Sequence, residues 1–248
     1  MPRTPAPTDA KPPEAPSARD VGRAEGPPRM EGASTLARWA LQGLVHSPSI
    51  LACVAVVAIG SAPVAIAWYA ASRLAYVVFA GISLSAETDR RARSRVVGAE
   101  AAWRTFRTRV SWLMDNDAAA FLALSIVTAS TLGDVGLPPL VLTLLGVALV
   151  VLGLGIKLWA TLSLPPGAYH WRNFFVRDEP RDDARGPYRF LSDPMYTLGY
   201  AHVYGTAVLF RSVPGLIAAV AGQSLVLLLN VLVEQRAHRT LSREAPGA

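Results

Sequence analysis

Charge is scarce in this chain. Only 17% of its 248 residues are Asp, Glu, Lys or Arg, against 52% that are apolar, and the mean hydropathy is positive. Ordinary soluble domains carry about a quarter charged residues, so this composition excludes one and indicates a polytopic, membrane-embedded chain. Cysteine is scarcer still: Cys53 is the only one. It excludes an intrachain disulfide framework and, inside an apolar run, reads as a small buried hydrophobe. Aromatics make up 8% of the chain and form no basic-aromatic module, so the net charge of +6 does not indicate nucleic acid. The arginines instead cluster beside apolar segments, where they orient the chain in an anionic bilayer. No metal site is expected. Residues 1–46 lack the apolar core of a signal peptide and are expected to form a Pro/Ala-rich tail, disordered from Met1 to about Glu31.

Beyond residue 46, long charge-free runs dominate the chain. Ser47 to Ser72 holds 26 uncharged residues, and after Arg73 another 13 lead up to Ala86. Since about 20 residues cross the hydrocarbon core as a helix, this region is one span with an interfacial extension or two short spans broken near Pro63. The second option places Arg73 at membrane depth, where insertion scales charge about 2.5–3.5 kcal/mol. Residues 87–117 then carry seven arginines. Trp103, Phe106, Val110 and Leu113 recur at helical spacing there, as in a basic helix lying on the membrane surface or an amphipathic helix packed on protein. Ala118 to Gly133 and Val135 to Ile156, uncharged apart from Asp134 between them, predict a helical hairpin. Pro194 to Phe210 and Ser212 to Val233 predict a second. The expected fold is therefore all-α: a polytopic transmembrane bundle of about five helices, six if residues 47–86 cross twice. Short turns return both hairpins to the side they left, placing residues 87–117, the loop to Asp193 and the tail from Glu234 together with 15 arginines. By the positive-inside rule that side is cytoplasmic.

Polar residues at the border of these runs are the candidates for chemistry. Gly186-Pro-Tyr-Arg and Ser192-Asp-Pro-Met-Tyr lead straight into the second hairpin, which ends at Glu234. Asp193, Tyr196, Tyr200 and Tyr204, spaced by three, four and four residues, share one face of a helix starting at Pro194. Tyrosines of an interfacial belt explain Tyr196 but not Tyr204, which lies about 16 Å deep, counted from Asp193 at 1.5 Å per residue. Asp193 is both a natural cap for that helix and a possible proton acceptor. His202, on the opposite face, reads as a neutral packing histidine, and Lys157 as a cation snorkelling to the interface. Gly153-Leu154-Gly155 reads as close helix packing, or as an approach of backbone to a ligand.

Together, Gly186-Pro-Tyr-Arg, Asp193-Pro-Met-Tyr, Gly199 and Glu234 resemble the phospholipid methyltransferase family over about residues 118–240. The wider superfamily, which includes isoprenylcysteine carboxyl methyltransferases, reads Arg-His-Pro-x-Tyr where this chain has Leu191-Ser-Asp-Pro-Met-Tyr, a departure toward the phosphatidylethanolamine branch. The resemblance implies a methyltransferase core in residues 118–248 that uses S-adenosylmethionine to N-methylate a membrane phospholipid. Methylation of another membrane acceptor, such as a prenylated carboxylate, or a non-catalytic scaffold are the alternatives. By the same resemblance the cofactor falls to Gly153, Leu154, Gly155, Tyr188, Arg189, Gly199, Glu234 and Gln235, with Gln235 standing where the family has a second glutamate. If the reaction is methyl transfer to an amine, the lipid is expected at Tyr169, Tyr200 and Tyr204, and the interfacial carboxylate and phenol of Asp193 and Tyr196 are expected to take the ammonium proton. A sulfonium cofactor with an amino-acid end suits a carboxylate, an arginine and aromatic faces.

Overall fold

A computed structural model describes residues 48–93, 98–165, 167–176 and 186–236; the expected tail of residues 1–46 lies outside them. Every regular element among the described residues is helical. Helix α1 (Pro48–Ile59) ends where Gly60 turns left-handed, at φ +67°, a conformation nearly free of strain only for glycine. Helix α2 (Ala62–Arg93) comes next with Pro63 in its first turn, where a missing N–H is harmless. The break expected near Pro63 is thus real, and Arg73 stands in mid-helix.

Helix α3 (Ala99–Val127) corrects two expectations. It is one 29-residue helix, neither a surface helix ending at Asp117 nor a span beginning at Ala118. The stripe of Trp103, Phe106 and Val110 is buried against α2 and the segment around residues 171–175, with Phe106 stacked on Phe79 at 5.8 Å and tilted against Phe175 at 5.0 Å. Asp117 marks no boundary because its charge is met from α2. Arg73 Nη2 lies 2.7 Å from Asp117 Oδ2, and one residue earlier on each helix Asn116 Nδ2 donates to Ser72 Oγ at 2.7 Å.

Helix α4 (Pro139–Leu162) turns Leu140, Leu144, Val151, Leu158 and Leu162 outward and buries Gly146, Gly153 and Ala160, spaced by seven. This small-residue stripe admits α6 (Ala201–Leu209) to backbone contact, the usual way membrane helices pack closely. A Cβ on Gly205 would lie 2.6 Å from Val150 N, and one on Gly153 would strike His202 N. The short helix α5 (Arg172–Phe175) packs its Phe174 and Phe175 into the core. Helix α7 (Val213–Leu229) continues into a single wide π turn, Asn230–Glu234.

The second hairpin departs from expectation at its start. Residues 194–197 form a turn and Leu198–Tyr200 a 3₁₀ turn, so the α-helix begins only at Ala201. The chain breaks from helical geometry at Thr197: its Oγ1 and its N both donate to the Asp193 carbonyl, at 2.8 and 3.1 Å, but its ψ of −100° leaves the helical region. The Asp193 carboxylate caps no helix.

The two turns at the opposite end are tied together. Ser130 N donates to Phe210 O at 3.0 Å, Leu132 N to Arg211 O at 2.9 Å and Val213 N to Thr131 Oγ1 at 3.0 Å. The hydroxyls of Thr128 and Ser212 meet at 2.6 Å. Among the described residues, four helical segments are long and apolar enough to cross a membrane: Ala62–Glu87, Ala99–Val127, Pro139–Leu162 and Val213–Glu234. With α6 and the described part of α1 each shorter than a bilayer, the described residues form an all-α membrane bundle with four full-length spans, where the hydropathy pattern predicts about five.

Candidate active site

The helices enclose a cavity of about 390 Å³, within the range that holds small-molecule ligands. Its mouth is built from loop and hairpin residues: Tyr169, Tyr188, Asp193, Tyr196 and Glu234. Its inner part is built from Arg73 and Tyr76 of α2, Asp117 and Phe121 of α3, Lys157 of α4, and Tyr200 and His202.

At the mouth, Tyr196 Oη donates to Glu234 Oε1 at 2.8 Å. The π turn positions this carboxylate: Val226, Asn230 and Glu234, four apart, are all buried on the face turned to the bundle. Such wide turns recur at functional sites. Gln223 Nε2 fixes the Tyr196 backbone by donating to its carbonyl at 2.9 Å, and its Oε1 accepts from Tyr204 Oη at 2.7 Å.

The loop that roofs the cavity is clamped onto α3. Trp103 Nε1 donates to His170 O at 3.1 Å, His170 Nε2 meets Ser111 Oγ at 2.9 Å, and Arg172 pairs with Glu100 at 3.1 Å. Burial, reinforced by the Arg107 cation, pushes the His170 imidazole down to about 4, so the ring is neutral at physiological pH. Burial, with Asp115 adding, raises the Tyr169 phenol. Tyr169 therefore lines the cavity as an uncharged aromatic face.

Further in, the Arg73–Asp117 pair is more than nine-tenths buried. The guanidinium lies 5.6 Å from the Tyr69 ring centroid and 5.9 Å from that of Tyr76, a geometry in which aromatic faces stabilise a desolvated cation. Tyr69 Oη donates to Ala218 O at 2.9 Å, tying this wall to α7.

Among the residues expected to carry function, the cavity gathers Asp193, Tyr196, Tyr188, Glu234, Tyr169 and Tyr200. It does not gather Gly153, Leu154, Gly155, Arg189, Gly199, Gln235 or Tyr204. Gly153 is filled by α6, Leu154 faces outward, and a Cβ on Gly155 would meet nothing within 4 Å. Arg189 is exposed, Gly199 packs on the Pro194 carbonyl, and the Tyr204 hydroxyl is spent on Gln223. Lys157 lines the cavity instead of snorkelling, and His202, which also lines it, keeps its Nδ1 2.6 Å from Gly199 O, as a packing histidine does. Arg73, Asp117 and Tyr76 line the cavity without having been named as site residues from the sequence; for Arg73 the available signal was a lone charge inside an apolar run.

Residues 141–241 match the phospholipid methyltransferase family. The chain is 31% identical over 133 residues to a phosphatidylethanolamine N-methyltransferase of Podospora anserina, covering 53% of this chain and 14% of that protein. Against proteins of the same name it is 26% identical over 159 residues in Komagataella phaffii, covering 63% and 18%, and 31% over 134 residues in Malassezia globosa, covering 54% and 14%. The chain thus spans under a fifth of the length of these relatives. No solved structure matches it. The apolar helices and these relatives make it an integral membrane protein, and residues 141–241, which carry most of α4, the cavity mouth and Glu234, are the part that is similar to the phospholipid methyltransferase family.

Proposed function

We propose that this chain transfers a methyl group from S-adenosylmethionine to the headgroup amine of phosphatidylethanolamine, with the cavity mouth facing the cytoplasm. The observation that carries the reading is the Tyr196–Glu234 contact at the mouth of an aromatic cavity, inside the segment that matches the family. The residues present fit a cationic cofactor. Glu234 and Asp193 put two carboxylates at the mouth, and Tyr76, Tyr169 and Tyr196 offer ring faces to a sulfonium. When bound, S-adenosylmethionine supplies the electrophilic methyl.

The chain's own residues then have two tasks. One is removing a proton, because a headgroup ammonium with a pKa near 10 has no lone pair to attack with at neutral pH. The Tyr196 O–H already points at Glu234, which leaves the phenol oxygen free to accept from the ammonium. As the amine gives its proton to Tyr196 Oη, Tyr196 hands its own to Glu234 Oε1, so the proton ends on the carboxylate and no phenolate charge accumulates. Asp193 supports this as a second negative charge at the mouth. The other task is holding acceptor and donor in line away from water, for which the clamped roof and the apolar walls of Phe121, Phe174 and Val226 serve. The expected cytoplasmic face follows from the arginines grouped on the side of the mouth.

The test is direct. Full-length protein in nanodiscs containing phosphatidylethanolamine, given methyl-labelled S-adenosylmethionine, should move label into the lipid extract. A lipid-class panel that includes prenylated carboxylates separates this from other acceptors, and label in no class would leave a binding or scaffold role.

A further inference from the structure

We infer that the inner end of the cavity is a zwitterion subsite built by Arg73 and Asp117. The two residues touch through Arg73 Nη2 and Asp117 Oδ2 at 2.7 Å, and that contact leaves one polar atom on each without a partner: Arg73 Nε, a donor, and Asp117 Oδ1, an acceptor. A third, Tyr200 Oη, stands beside them equally unmatched. All three belong to side chains more than nine-tenths buried, and all three residues line the cavity. Buried polar atoms in native proteins are nearly always satisfied, so a donor and an acceptor orphaned side by side in one cavity describe the ligand that completes them.

The depth of the pair sharpens this. Arg73 is 11 residues into α2 from Ala62 and Asp117 is 10 residues before the end of α3 at Val127, which puts both about 15–17 Å from the same end of the bundle at 1.5 Å per residue. In a hydrocarbon core of about 30 Å that is the midplane, where an ionisable pair facing a cavity indicates function. Charge selects the ligand class. A lone anion would compete with Asp117 for the guanidinium, and a lone cation would compete with Arg73 for the carboxylate. A group carrying both charges a few bonds apart adds an oxygen to Arg73 Nε and an ammonium to Asp117 Oδ1, and the array of four charges stays neutral.

Two molecules of the proposed reaction contain such a group: the phosphoethanolamine head of the lipid and the aminoacyl end of the methyl donor. The choice of these two rests on the methyl-transfer reading; the subsite itself rests on the orphaned atoms. Both of its ionic residues lie outside residues 141–241, so the family match does not assign it.

Binding, not turnover, tests it. The full chain in nanodiscs is titrated separately with S-adenosylhomocysteine, which keeps the aminoacyl end, and with dihexanoyl phosphatidylethanolamine. The same titrations are made on the double variant Arg73→Met/Asp117→Leu, because replacing a buried ion pair by apolar residues of similar size preserves folding in other proteins. The expected result is a loss of tenfold or more for one ligand with the other unchanged within about twofold, the ligand lost being the one the subsite takes. Unchanged affinity for both makes the pair a structural strut and overturns the inference, and so does loss of both, which signals a collapsed cavity. If the wild-type chain binds neither ligand, the methyl-transfer reading falls along with the subsite. Should the double variant not fold, Tyr200→Phe decides: threefold or greater weakening of one ligand supports the subsite, and unchanged affinity for both overturns it.

Discussion

Tyr196 has one phenolic proton, and in the resting site it stays on the phenol and is shared in a hydrogen bond with Glu234. Tyr196→Phe removes the relay while leaving the ring as a cavity wall, so turnover should fall by about 10²–10⁴ while S-adenosylhomocysteine affinity stays within a few-fold; single-turnover and binding measurements separate the two. A second residue-scale prediction concerns His170. Its folded value of about 4 lies below the roughly 6.5 of an unfolded imidazole. On acidification the unfolded chain takes up the proton first, so the stability held above pH 6.5 is lost as pH falls toward 4. Thermal unfolding in detergent should show that decline, and His170→Gln should flatten it. Glu234 and Tyr196 were legible in the sequence because motif wording carries them. Arg73 and Asp117 were not, because a charge bordering an apolar run looks like the end of a span, and only a partner from another helix shows otherwise.

At the scale of elements, the contact of α4 with α6 is the most sensitive. Gly153→Ala should destabilise the protein by about 1–3 kcal/mol, since its Cβ strikes the His202 backbone and neither helix can yield locally. Gly155→Ala should change stability by no more than about 0.5 kcal/mol, as its Cβ enters open space. Thermal melts of both in detergent check the contrast, and unaltered cofactor affinity in Gly155→Ala would set aside any direct ligand role for the Gly-Leu-Gly run. The helical periods of α4 and α7 were readable because their apolar runs are long and carry no competing signal. The start of α6 was not: a proline after aspartate advertises a helix, but the backbone leaves the helical region at Thr197 and the α-helix starts seven residues later than Pro194. The continuity of α3 was hidden because Asn116 and Asp117 look like a break in an apolar run, and only their contacts with Ser72 and Arg73 of α2 keep them inside the helix.

For the molecule as a whole, the tied turns at residues 128–133 and 210–213 close one end of the bundle, and the cavity mouth lies at the other. In a Cys53→Ala background, Phe190→Cys, at a strongly exposed position beside the mouth, should react with an impermeant maleimide only from the cytoplasmic side. Asp134→Cys should react only from the opposite side, and the reverse pattern would invert the proposed orientation. The all-α bundle and the grouping of loop, hairpin mouth and Glu234 could be read from hydropathy and turn lengths, which are local properties. The inner cavity could not, since it exists only once α2 and α3 face α4 and α6. The clasp between α2 and α3 also bears on how the chain is made. When α2 leaves the ribosome its guanidinium has no counter-charge, because Asp117 is still to be synthesised, and a lone arginine at helix centre costs about 2.5–3.5 kcal/mol to insert. Integration of α2 is therefore expected to be completed once α3 supplies Asp117 and the two form a neutral pair. A nascent chain halted before Asp117, scored by glycosylation mapping, should leave α2 less fully integrated than one halted after Val127.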